Sequence, residues 1–236
     1  MPIENTANVR AGAGSVVAQV IAQNGQERPK LFNRALASSP FWVKTYDATA
    51  PQAQDVYDLF ANLTGCAGAK SLQCLKQAPL QTLITAALAV SGSHTYNTSS
   101  YTWAPVIDGT FLTEPLSVAA SRGAVNIDYG FGMYNLHEGE NFIPSGLKNA
   151  NSSGSPPFNS SLASFQGWLA GYLPGLNKWE LEVVQQLYPA VGTAENLSYN
   201  TTYVRAGLIF RDTVLACPAY WMAGACLLYT SPSPRD

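Results

Sequence analysis

The chain has 236 residues, 47% of them hydrophobic and 11% aromatic, enough for one large globular domain or two small ones. Only 12% are charged, and the formal net charge is −2 with the signs dispersed. That excludes the basic footprint of a nucleic-acid binder and the basic face of a membrane-surface protein, and no apolar run approaches the ~20 residues of a membrane span.

Residues 1–8 have neither the basic nor the apolar region of a signal peptide, and residues 1–10 carry no strand pattern. Arg10-Ala11-Gly12-Ala13-Gly14-Ser15 has the outline of a G-x-S-x-G nucleophile elbow. Gly12 fits its second glycine, which lets the next helix pack close to a sheet, but Arg10 stands in the serine position and Asn8 in that of the first glycine. Taken alone, the hexapeptide reads more simply as a Gly/Ala-rich helix start without chemistry. A dinucleotide fingerprint is rejected, because Val17 occupies its third glycine position.

Residues 13–24 read as a helix stopped by Asn24-Gly25, and 31–38 as a buried strand ending at Ser39-Pro40. Helical spacing of Val56, Leu59, Phe60 and Leu63 marks 51–63, and two more helices follow at 69–78 and 80–90, broken by Pro79. Residues 91–102, with His94, read as a polar loop, and Asp108-Gly109 as a turn. A helix at 114–122 ends at Gly123, and 125–134 reads as a strand with Val125, Ile127, Tyr129 and Phe131 on one face. After a Ser/Asn/Pro-rich loop at 150–161 come helices at 164–176, 179–188 and 203–222. Few strands separated by helices make an α/β pattern with the sheet largely absent from the chain. The helix at 13–24 is therefore expected to have no sheet to cover, and the two strands to have bare edges.

Six N-x-S/T sequons, at Asn62, Asn97, Asn151, Asn159, Asn196 and Asn200, point to glycosylation on exposed loops and hence to secretion. Seven residues separate Cys66 from Cys74, a spacing that suits a short disulfide loop and equally two buried thiols. No metal site is expected, since neither histidine lies near these cysteines in sequence. A secreted chain without a leader at Met1 is expected to be truncated at the front. Residues 227–236 break from the preceding helix, and with Cys226 in front they resemble the translation of a widely used transposase sequencing adapter. That resemblance implies that the native sequence stops near Ala225. The expected organisation is a non-native or mis-assembled start at 1–10, a domain at 11–225 and an adapter-derived tail at 226–236.

Four separated segments carry a more specific likeness. Leu31-Phe32-Asn33-Arg34-Ala35-Leu36-Ala37-Ser38-Ser39 is similar to the "LFRGAIAQS" strand of type B carboxylesterases, the group containing fungal lipases and cholinesterases. Pro105-Val106-Ile107-Asp108-Gly109-Thr110-Phe111-Leu112 resembles that family's "PVVDGxFL". Gly132-Met133-Tyr134-Asn135-Leu136-His137-Glu138-Gly139-Glu140-Asn141-Phe142 resembles its "GxNxxEGxxF". Phe210-Arg211-Asp212 and Cys217-Pro218-Ala219-Tyr220-Trp221 resemble a late helix of the secreted fungal members.

The resemblance spans residues 11–225 and implies a partial α/β-hydrolase fold, the portion after the nucleophile elbow, with early strands and the last strand missing. Its triad runs serine, glutamate, histidine along the chain. Glu138 maps to the acid, which would follow a central strand, accept a hydrogen bond from the histidine and stabilise the imidazolium. Ser39 would support Glu138, and the Ala11 backbone N–H would serve the oxyanion hole. The nucleophile maps to Arg10, whose guanidinium stays protonated and cannot attack an ester. The histidine would come well after Cys217; His137 takes no role and His94 is expected at the surface. Cys66 and Cys74 match a family disulfide loop. The function implied is that of a secreted serine esterase or lipase, acting on small-molecule carboxylic esters or lipids through an acyl-enzyme without metal or organic cofactor. This chain is expected to be an inactive piece of it. The alternative is a catalytically dead, cholinesterase-like binding or adhesion domain; a third reading gives the chain as written no function of its own.

Overall fold

Glu4–Val9 (β1), Phe32–Ser38 (β2) and Tyr129–Met133 (β3) form a three-stranded parallel sheet in the order β1-β2-β3. The computed structural model describes residues 4–9, 11–98, 103–154, 157–195 and 197–230. β1 corrects the reading of residues 1–10 as lacking a strand. Glu-Asn-Thr-Ala-Asn-Val has no clear apolar alternation, and its extended form is imposed by pairing, from Glu4 opposite Phe32 to Val9 opposite Ser38. β2 is thus paired on both sides rather than bare, and the following helix does have a sheet to cover.

That helix, Ala11–Ile21 (α1), buries Ala13, Val16, Val17, Val20 and Ile21 against the sheet. Its end comes earlier than residue 24 because Gln23, Asn24 and Gly25 all take left-handed φ, of 50°, 60° and 66°. Pro51–Leu63 (α2) starts with proline at its first position, where no N–H is needed. Ser71–Gln77 (α3) is tied back to the end of α2 by a Cys66–Cys74 disulfide with Cα atoms 5.4 Å apart. Leu80–Thr98 (α4) runs well past residue 90, because no proline interrupts it and polar residues do not by themselves stop a helix. His94 and Asn97 therefore lie on a helix and not in the loop expected there.

Leu116–Ser121 (α5) leads into a buried bend before β3. Asn126, itself buried, donates to the Ala22 carbonyl at 2.7 Å and accepts from the Glu27 N–H at 3.0 Å, pinning the end of α1. This bend breaks the alternation expected across 125–131. Val125 and Ile127 are buried, whereas Tyr129 and Phe131 are 62% and 54% exposed. The face that β3 turns toward the core carries Gly130 and Gly132, since a Cβ at Gly132 would lie 2.9 Å from Ala219.

The rest of the chain is helical. Leu162–Tyr172 (α6) and Lys178–Leu187 (α7) are capped by Ser161 and by an Asn177/Glu180 capping box. A short antiparallel hairpin, Gly192–Ala194 (β4) and Leu197–Tyr199 (β5), precedes Thr202–Arg211 (α8), which passes through one π turn, Asp212–Ala216, into Cys217–Thr230 (α9). α9 continues to Thr230, so the chain does not leave the helix at residue 227 as the sequence leads one to expect. Two cores result. One joins α1, β2, α5 and α9; the other gathers Phe165, Trp168 and Tyr172 of α6 with Ile209 and Phe210 of α8.

Candidate active site

Ser39 follows β2 and extends the sheet, its N–H donating to the Met133 carbonyl at 2.7 Å. Its φ of 54° is the left-handed region that a serine rarely occupies, and it aims Oγ at the loop leaving β3. There Ser39 Oγ donates to Glu138 Oε2 at 2.7 Å. The same oxygen accepts the Asn135 backbone N–H and its side-chain amide, both at 3.2 Å. Glu138 is 3% exposed, so it is a buried carboxylate held by three donors at the C-terminal end of a parallel strand. Among the described residues β3 is an edge of the three-stranded sheet.

The turn carrying Glu138 is wedged against α8 by two glycines. A Cβ on Gly139 would lie 1.9 Å from the Gly207 carbonyl oxygen, and one on Gly207 would lie 2.5 Å from Glu140 Cγ. Backbone meets backbone here, which only glycine permits. Tyr203 of α8 donates to the Glu140 carbonyl, and Phe142 stacks on Phe210 with ring centroids 5.2 Å apart. Gly14 of α1 plays the same part elsewhere, since its Cβ would lie 2.2 Å from the Phe41 carbonyl oxygen. His137 points outward and pairs through Nδ1 with Glu140 Oε1 at 2.9 Å.

The buried Arg211 also faces this loop. Its Nη1 donates to the Leu136 carbonyl at 3.3 Å, and Nε to Asp212 Oδ1 at 2.7 Å. Burial alone would lower the proton affinity of this guanidinium; Asp212, Glu195 and Tyr134 outweigh it and raise its pKa. The sequence marks Arg211 within Phe210-Arg211-Asp212 but gives no sign that it reaches residue 136.

Of the other anticipated residues, Ala11 is the exposed first residue of α1, and Arg10 lies outside the described residues. Asn62, Asn151 and Asn200 are exposed, Asn62 in the last turn of α2; Asn159 is half-buried, accepting from Ser161 and Ser164 ahead of α6. Asn196 lies outside the described residues, and Asn97 is on α4. Among the described residues no group of three or more His, Cys, Asp or Glu is arranged to hold a metal, and no helix is long and apolar enough to cross a membrane.

Helices on a parallel sheet, with an acid on the loop after a strand, define an α/β-hydrolase arrangement. The same fold is found in Aspergillus niger EstA, with a TM-score of 0.73 at 23% identity over 95% of this chain and 41% of that one. PNB esterase gives 0.66 at 20% identity, over 94% and 41%. The profile of the carboxylesterase family matches residues 7–233, and the chain belongs to that family. Relatives include secreted lipase 1 of Botryotinia fuckeliana, 32% identical over 117 residues, and secreted triacylglycerol lipase LIP1 of Gibberella zeae, 30% identical over 117 residues. Each match covers 48% of this chain and 20% of the relative.

Proposed function

We infer that the whole protein is a secreted serine esterase or lipase that hydrolyses carboxylic esters, and that Glu138 is the acid of its triad. The observation that carries this reading is the burial of Glu138 with Ser39 and Asn135 donating to one of its oxygens. A carboxylate so fixed can receive an imidazole N–H without reorganising, which orients the base and stabilises the imidazolium formed as serine attacks the ester carbonyl. Membership of the carboxylesterase family and the secreted lipases among its relatives support the substrate class and the compartment. The exposed sequons at Asn62, Asn151 and Asn200 are glycan acceptors in this reading.

The chain as written carries arginine at position 10, where the elbow requires serine. Purified, it should neither hydrolyse a p-nitrophenyl ester nor take up a fluorophosphonate label; inhibitor-sensitive turnover would overturn the inactivity. Re-reading the source gene across residues 8–12 and beyond Ala225 tests the rest. A G-E-S-A-G-type elbow with a later histidine supports the esterase, and Glu138→Gln in that full-length enzyme should then lower kcat by about 10⁴. Arg10 persisting in a complete frame instead makes the protein a catalytically dead binding domain.

A further inference from the structure

We propose that Arg211 is a positioning residue for Glu138, and that Glu195 at the tip of the β4–β5 hairpin fastens it there. This rests on reading Glu138 as the triad acid, but its geometry stands apart from that reading.

Four contacts converge on one guanidinium that is 2% exposed. Arg211 Nη1 holds the Leu136 carbonyl at 3.3 Å, and Nε and Nη2 both lie 2.7 Å from Asp212 Oδ1. Glu195 Oε2 lies 3.5 Å from Nη1, and the ring of Tyr134 sits 5.6 Å away. Leu136 lies between Asn135, which donates twice to Glu138, and Glu138 itself. Fixing its carbonyl therefore fixes the turn that sets the carboxylate.

Two further observations show that this anchor is built. α8 gives way to a π turn immediately after Arg211, a distortion frequent at functional sites. Asp212 in that turn is held from its other side by Tyr188, whose OH donates to Oδ2 at 2.6 Å. Glu195 takes a left-handed φ of 48°, costly for a residue with a Cβ, and from there its Oε1 also accepts the Tyr134 OH at 2.7 Å. The hairpin tip thus straps both ends of the span from Tyr134 to Leu136, directly at Tyr134 and through Arg211 at Leu136.

The test is hydrogen exchange followed by mass spectrometry on the 236-residue chain. Arg211→Gln should speed exchange in peptides covering 134–139 by about tenfold, the loss expected for a charge-assisted hydrogen bond, with α6 unchanged. Arg211→Lys, which keeps the charge but not the fork, should recover only part of the protection. A general packing role would instead raise exchange across α8 and α6 alike and would overturn the proposal. Should Arg211→Gln unfold the chain, Glu195→Gln decides. Its side chain is 45% exposed, so the fold survives, and exchange in 134–139 should rise two- to threefold, as expected for a weaker, partly exposed pair. Unchanged rates in Glu195→Gln would overturn the strap. None of these rates depends on ester hydrolysis, so a different role for Glu138 would leave them standing.

Discussion

Gly139→Ala is the most exacting perturbation of this site. The new Cβ would lie 1.9 Å from the Gly207 carbonyl oxygen and 2.7 Å from the Arg211 nitrogen, both backbone atoms that no rotamer change can move. Restoring ordinary contact requires the turn and α8 to part by roughly 1.5 Å, enough to forfeit much of the dispersion energy between them. The Tyr203 bond to the Glu140 carbonyl, the Phe142–Phe210 stack and the Arg211 bond to Leu136 all cross the same seam. The cost should therefore sit near the top of the overpacking range, about 3 kcal/mol. For a domain of this size that lowers Tm by about 6–12 °C. Thermal unfolding by circular dichroism at low micromolar concentration measures it, with Gly167→Ala as the control. Gly167 lies inside α6 with nothing near its Cβ position, so alanine there should stabilise by about 0.5–1 kcal/mol through helix propensity. A Gly139→Ala protein melting within about 2 °C of the parent would refute the backbone-on-backbone seam, since about 3 kcal/mol has no other outlet.

Three further outcomes follow from the same structure. Ser39→Ala loses a bond to a buried carboxylate and keeps the left-handed strain, so urea unfolding should show about 2 kcal/mol lost, with Ser39→Gly about 1 kcal/mol less damaging. Burial lowers the Lys44 pKa to about 8, so the unfolded chain binds more protons between that value and 10.5, and stability gains from this group as pH rises through that window. Lys44→Met should abolish the contribution: the variant-minus-parent stability difference should shrink between pH 8 and 9.5, and a flat difference would contradict the burial. Finally, Leu36, Tyr129, Phe131 and Met133 form an exposed apolar face on a parallel sheet, a class that ordinarily covers both faces. Phe131→Lys should reduce concentration-dependent association in sedimentation velocity; equal association in both proteins would show that other surface drives it.

Much of this was legible in the residues. Helix α2 announces itself by its apolar spacing and its leading proline, and Glu138 by the glycines and asparagine around it, because both signals are local and depend on neighbours in sequence. β1 was not legible, since a strand of small polar residues gains its form from a partner more than twenty positions away. The face of β3 was misread for a related reason: alternation holds only while the chain stays pleated, and the Asn126 bend resets it. Pairing, burial and the approach of two backbones are properties of distant segments brought together. The sequence alone determined which carboxylate to examine. Only the tertiary structure decided that Ser39 and Asn135 hold it, that Gly139 and Gly207 let α8 lie against its turn, and that Arg211 reaches the carbonyl beside it, because each of those contacts joins residues that have no local reason to meet.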